Sequence, residues 1–247
     1  MSYRGRVAPN RIDLPGTAEE AWDGWVELKR LPVADPLAWP SAVIVAAHPD
    51  DEILGAGGTL ARLAAAGVRL RLVAVTDGEA SHPAADPRAT ARRRVTESTD
   101  ALRLLGVQDI EVIRLCLPDT GLTACEDELS GRLRELCAGF GMCLAPWQED
   151  AHADHEAAGR AARRAARWVS QPVLSYPIWM WHWAKPGDQR VPWQRASQVL
   201  LSAEVAARKT AAIGAFASQL TDREGTGPVL PPGIVAHFTR DQEVLLR

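Results

Sequence analysis

The chain has 247 residues, enough for one large α/β domain with a sizeable core. With 47% hydrophobic residues, 24% charged residues and a net charge of −3, it reads as a globular protein without the basic excess of a nucleic-acid binder. No apolar run approaches the roughly 18 residues of a membrane helix, and "MSYRGRVAPNRIDLPG" carries no apolar signal core. The four cysteines, Cys116, Cys125, Cys137 and Cys143, form no CxxC pair. The expectation is a cytoplasmic protein with reduced thiols and no membrane partner.

Residues 1–16 form an irregular lead-in, and "TAEEAWDGWVELKRL" then reads as a short helix capped by Thr17, with Glu20 at capping-box spacing. "SAVIVAA" is an apolar run of strand length, and "GGTLARLAAAG" a helix closing on Gly67. "RLRLVAVT" reads as a strand, "PRATARRRVTESTDALRLLG" as a helix ending at Gly106, "DIEVIRL" as a strand and "EDELSGRLRELCAGF" as a helix. "GMCLAPW" is a short strand, "HADHEAAGRAARRAARWV" a helix and "PVLSYPIWMW" a fifth strand. "SAEVAARKTAAIGAFASQL" is the last clear helix, before a Pro/Gly-rich tail that turns apolar at "EVLL". Strands alternating with helices predict a mostly parallel sheet covered on both faces.

Ligands of such sheets sit outside the carboxyl ends of the strands. After the first strand comes His48-Pro49-Asp50-Asp51-Glu52, and after the second "TDGEASHP" with Asp77, Glu79 and His82. After the third comes Asp119, and after the fourth "PWQEDAHADH" with His152, Asp154 and His155. Histidines and carboxylates gathered at one edge suit a divalent metal, most often zinc, held by three protein ligands with one position open. His48, Asp51 and His155 supply such a set, and Asp50 is a spare acid able to take a proton from water. Pro49 keeps His48 extended, and the glycines of "GAGG" are expected to bend the chain into the next helix. Acids before a helix also compensate its dipole, and "GAGG" is also compatible with a nucleotide phosphate, although the neighbouring acids would repel it. The stretch "YPIWMWHW" reads either as a buried strand or as one whose end, with Trp181, His182 and Trp183, forms a platform for a sugar. His82 and His237 read as surface histidines near the mouth.

"AAHPDDE" followed by "GAGGTLARL", with "PWQEDAHADH" about a hundred residues on, resembles the zinc-dependent PIG-L/LmbE-like N-acetylglucosaminyl deacetylase family. "VTDGE", "RRRVTES", "LPDTGL" and "RKTAAIGAFASQ" extend the resemblance over residues 41 to about 219. It implies a Rossmann-like three-layer sandwich and one domain over residues 1–247, with a variable extension at 1–40 and a variable tail at 220–247. The implied chemistry is hydrolysis of an N-acyl group, in the family an N-acetyl, from an amino sugar or conjugate. Two alternatives stay open: an amidase acting on a thiol-pseudodisaccharide conjugate, and a metal- or nucleotide-binding protein without turnover. By motif position the resemblance makes His48, Asp51 and His155 the zinc ligands and Asp50 the general base. It makes His152 the electrophilic or acid partner, positioned by Asp154, while Arg94 and Asp119 match positions that grip sugar hydroxyls. Some sugar-processing relatives carry a tyrosine two residues before the first histidine of the HxDH motif. Asp150 stands there instead, so His152 is expected to carry more of the oxyanion stabilisation.

Overall fold

The computed structural model describes residues 10–223 and 225–247; the first nine residues of the lead-in lie outside that range. Two short helices, α1 (Glu19–Asp23) and α2 (Val26–Lys29), precede β1 (Ser41–Ala46), α3 (Asp51–Ala65) and β2 (Arg69–Ala74). Next come α4 (Pro87–Leu105), β3 (Ile110–Arg114), α5 (Glu126–Cys137), β4 (Met142–Pro146), α6 (Ala153–Trp168) and β5 (Val173–Tyr176). The chain closes with α7 (Met180–Trp183), β6 (Ala196–Leu200), α8 (Ala203–Gly214), α9 (Ala217–Leu220), α10 (Pro232–Ala236) and β7 (Gln242–Leu246). The seven strands form one sheet in the order β3-β2-β1-β4-β5-β7-β6. The first five strands are parallel, and β7 is antiparallel to both of its neighbours.

β1 explains why this is a three-layer fold. All six of its residues are buried. Ala42, Ile44 and Ala46 pack into a core with residues of α3, α4 and α8, while Val43 and Val45 pack into a second core with residues of α5 and α6. A strand apolar on both faces needs a helical layer on each side. The strand order reverses between β1 and β4, whose carboxyl ends flank a crevice of the kind in which α/β sheets bind ligands.

Several local expectations change. The first helix divides at Gly24, and Thr17 donates its hydroxyl to the Ala184 carbonyl at 2.5 Å instead of capping. The "GAGG" glycines lie inside α3, which begins at Asp51. A Cβ on Gly55 would meet the Tyr176 ring at 2.2 Å, and one on Gly58 would meet Leu201 at 2.4 Å. They serve close packing, so no phosphate cradle is formed there. Ala56 departs from helical geometry (φ −143°), and the Glu243 carboxylate accepts from the Gly58 and Thr59 amides just beyond it, at 2.6 and 2.8 Å. Lys209 from α8 donates to the same carboxylate at 2.7 Å, so a buried ion pair joins the last strand to α8 while the two amide bonds join it to α3. Among the described residues, no helix is long and apolar enough to cross a membrane.

Candidate active site

At the end of β1 the chain must pass from strand to helix within four residues. His48 N–H donates to Asp51 Oδ2 at 2.9 Å, and the Asp50 carbonyl accepts from Ile53 and Leu54, which starts α3. The turn puts Asp50 at φ 141°, ψ −29°, a conformation that costs an L-residue on the order of 1–3 kcal/mol. Beyond β4, the segment from Asp150 into α6 brings His152 and His155 alongside. The ring centroids of His155 lie 5.3 Å from His48 and 4.4 Å from His152.

Protonation logic defines the centre. His48 Nε2 faces Asp119 Oδ1 and Asp154 Oδ2, each at 3.2 Å, so that nitrogen carries the proton and Nδ1 presents its lone pair. His155 Nδ1 donates to Asp150 Oδ2 at 2.7 Å, which leaves Nε2 as its lone-pair nitrogen. These two nitrogens are 3.3 Å apart, and Asp51 stands 3.2 Å from the second and 3.6 Å from the first. Three acceptors converging on one point require a positive charge among them. Burial lowers the pKa of His155, but the carboxylates of Asp51 and Asp150 outweigh it and lift that ring to about 9. The set therefore fits a divalent cation in place of the proton, with both histidines oriented by outer carboxylates as in established metal sites. By proximity, two groups among the described residues could hold a metal, His48 with His152 and His155, and His48 with Asp119 and Asp154; they share only His48, and neither includes Asp51.

Asp50 borders this centre, 6% exposed, with Arg94 Nη2 donating to its Oδ2 at 3.0 Å. Burial pushes the Asp50 carboxyl up to about 6 against the pull of the Arg94 guanidinium. Burial, followed by the charges of His155 and His48, pushes His152 down to about 3, so its ring is neutral. The Nδ1 of His152 is buried and has no hydrogen-bond partner among the described residues.

A cleft of about 240 Å³ opens over these groups. His48, Asp50, Asp51, Arg94, Asp119, His152 and His155 all line it. Other sequence-based placements differ. Asp154 makes no hydrogen bond to His152: besides meeting His48, it accepts from the Thr120 and Leu122 amides at 2.7 and 3.1 Å. Arg94 is 3% exposed and spends its Nη atoms on Asp50 and on the carbonyls of Pro49 and Gly78. Trp181 is 4% exposed and packs edge-on against Trp22 at 5.0 Å, outside the cleft. His182 donates to the Leu14 carbonyl. The aromatic residue on the cleft wall is Trp179, joined by Ile178, Val229 and Leu230. The reason is that β5 stops at Tyr176, before Pro177, and the next residues coil into α7 instead of continuing the strand. His237 pairs with Glu19, and His82 meets the Ser218 carbonyl at 3.1 Å.

Asp150 emerges as a major organiser of the site. It is fully buried; its Oδ1 accepts from the Ile178 and Met180 amides at 3.0 Å and its Oδ2 from the Trp179 amide at 2.9 Å. One carboxylate thus orients His155 and shapes the wall that carries Trp179. Its spacing five residues before His155 was visible in the sequence, but its backbone partners were not. The cleft residues Gln219, Arg223, Val229 and Leu230 were likewise not individually predicted.

A family model described as GlcNAc-PI de-N-acetylase (PIG-L) matches residues 43–166, half of the chain. The chain is 31% identical over 173 residues to 1D-myo-inositol 2-acetamido-2-deoxy-alpha-D-glucopyranoside deacetylase 1 of Catenulispora acidiphila, a match covering 59% of this chain and 54% of that protein. It is 31% identical over 202 residues to the deacetylase of the same substrate name from Streptomyces griseus, covering 70% and 61% respectively. The chain thus spans between half and two thirds of the length of these curated relatives. A crystal structure of the conserved protein TT1542 from Thermus thermophilus superposes with a TM-score of 0.57 at 29% identity, covering 80% of this chain and 84% of the other.

Proposed function

Since the chain belongs to the PIG-L family of de-N-acetylases, we propose that its cleft hydrolyses the N-acyl group, an N-acetyl in the simplest case, of an N-acetylglucosamine-type sugar or conjugate. The observation that carries this reading is the convergence of His48 Nδ1, His155 Nε2 and the Asp51 carboxylate beside the unligated acid Asp50. A set of two histidines and one carboxylate favours zinc among the divalent ions. Held by those three residues, zinc supplies Lewis acidity that polarises the amide carbonyl and acidifies water.

The chain's own residues do the rest. Asp50 accepts the proton of the attacking water, and Arg94 fixes which of its oxygens is free to do so. Neutral His152 donates an N–H to the carbonyl oxygen as negative charge develops there. The proton taken by Asp50 passes to the nitrogen of the leaving amine, the C–N bond breaks, and a carboxylic acid and a free amine remain. A ring held neutral down to about pH 3 is a poor proton source, which favours Asp50 for this step.

Zinc-loaded protein is expected to release acetate from N-acetylglucosamine glycosides, to stop after chelation and to resume on zinc addition. A protein holding one metal per chain that releases no acetate from any glycoside in the panel would instead be a metal binder without turnover. The cleft wall gives a separate expectation. Trp179→Ala raises KM on the order of tenfold, equivalent to about 1.4 kcal/mol, with little change in thermal stability. Trp181→Ala, in the core, costs about 3–5 kcal/mol of stability. Kinetics and thermal unfolding of the two variants check this; the reverse pattern would put the platform at Trp181.

A further inference from the structure

We propose that Glu52 is a positioning residue which, held by Ser98 of α4, fixes the strained Asp50 turn and so aims the Asp50 carboxylate. This rests on the reading of Asp50 as the general base. Glu52 is fully buried, yet it is absent from the cleft lining and from the convergent metal set. A buried acid next to two aspartates is costly unless it satisfies something. Its bonds show what it satisfies. Oε2 accepts the Asp50 amide at 3.3 Å, and Oε1 accepts the Ser98 hydroxyl at 3.0 Å.

Asp50 needs such a restraint because its φ of 141° lies where an L-residue does not settle by itself. Every polar group of this residue's backbone is engaged. Its carbonyl accepts from Ile53 and Leu54, and its N–H goes to Glu52. Arg94 holds one carboxylate oxygen and, through the same Nη2, the Pro49 carbonyl at 2.8 Å. Arg94 and Ser98 are four residues apart on α4 and therefore share one face of that helix. One helix face thus grips the turn twice: directly at the side chain through Arg94, and at the backbone through Ser98 and Glu52. The Glu52 contact resembles the back-reaching half of a capping box. Here the amide that it reaches belongs to the residue proposed to move the proton.

The test uses the full-length, zinc-loaded protein and acetate release from N-acetylglucosamine glycosides, together with metal content and amide hydrogen exchange over residues 47–54. Glu52→Leu fills the space without accepting either bond. It is expected to lower kcat by roughly 10–100-fold, the scale of a small misplacement of a catalytic group. KM is expected to move little, metal to stay near one per chain, and exchange over the turn to accelerate. Glu52→Gln keeps an acceptor for the Asp50 amide, with Ser98 reversing to accept from the new NH₂, and is expected to recover most of kcat. Ser98→Ala falls between the two, and it carries the test if Glu52→Leu does not accumulate as folded protein. Wild-type kcat and exchange in both Glu52→Leu and Ser98→Ala would overturn the proposal. So would metal loss in proportion to activity, or a Glu52→Gln variant as impaired as Glu52→Leu, which would assign the effect to charge. If the wild-type protein releases no acetate, the deacetylase reading fails by itself. The clamp is then judged by exchange alone: acceleration in Glu52→Leu and Ser98→Ala upholds it, and unchanged exchange removes it.

Discussion

Asp50→Asn is expected to keep close to one metal per chain while losing roughly 10²–10⁴-fold in turnover, the span of a general base. Asp51→Asn is expected to lose the metal itself. The two side chains are chemically identical neighbours, so position alone separates them. Asp51 presents its carboxylate to His48 Nδ1 and His155 Nε2 at 3.6 and 3.2 Å. Asp50 turns instead towards Arg94 and the cleft. A neutral amide at Asp51 is a poorer donor and leaves the convergent nitrogens short of a negative partner. Excess zinc restores part of the activity in that variant by mass action. In Asp50→Asn the three donors remain, the amide cannot take up a proton, and added zinc does not help. Elemental analysis and deacetylation rates, with and without supplementary zinc, read both variants. Equal metal loss in the two would mean that the pair is misassigned. Full activity in Asp50→Asn would move the base elsewhere.

The candidate metal-holding residues carry a local sequence signal, and the topology that gathers them at one edge is forced. Right-handed crossovers return every strand of such a sheet in one direction, so motifs after "SAVIVAA" and "GMCLAPW" had to meet at one edge once those runs were parallel strands. What was not legible depends on long-range contacts. β6, "ASQVL", shows no apolar alternation, because its buried Gln198 is satisfied by the carbonyls of Lys29 and Leu31 from the amino-terminal segment. The apolar tail "EVLL" gave no hint that Glu243 within it would be buried against Lys209 and the kink of α3. "YPIWMWHW" has strand composition, but the amides after Pro177 are claimed by the Asp150 side chain, and the chain coils there. Asp154 and His152 are two residues apart and look like partners, yet the helix start turns Asp154 towards His48.

Asp150→Ala is expected to cost the fold and the metal centre together. The side chain is fully buried and takes four hydrogen bonds, from the amides of Ile178, Trp179 and Met180 and from His155 Nδ1. Alanine leaves these donors facing a void that offers no acceptor, and an unmet buried donor costs about 1–3 kcal/mol. Removing one side of such a buried, charge-assisted cluster costs about 3–5 kcal/mol. In a chain of this size each kcal/mol lowers Tm by about 2–4 °C, so the fall is on the order of 10 °C. The metal feels the same change through His155. Once its Nδ1 is released, the ring is free to turn and its tautomer is no longer fixed, and losing an outer carboxylate of this kind lowers metal affinity by roughly 10–100-fold. Asp150→Asn separates the two effects. Its single carbonyl oxygen can still accept from part of the backbone trio, which spares stability. Its NH₂ then points at His155 Nδ1–H, donor against donor, and metal affinity stays low. Thermal unfolding of the chelator-stripped protein isolates the fold, and zinc titration isolates the centre. An Asp150→Ala variant with unchanged Tm and unchanged zinc affinity would show that the segment after β5 and the His155 ring are held by something other than this carboxylate.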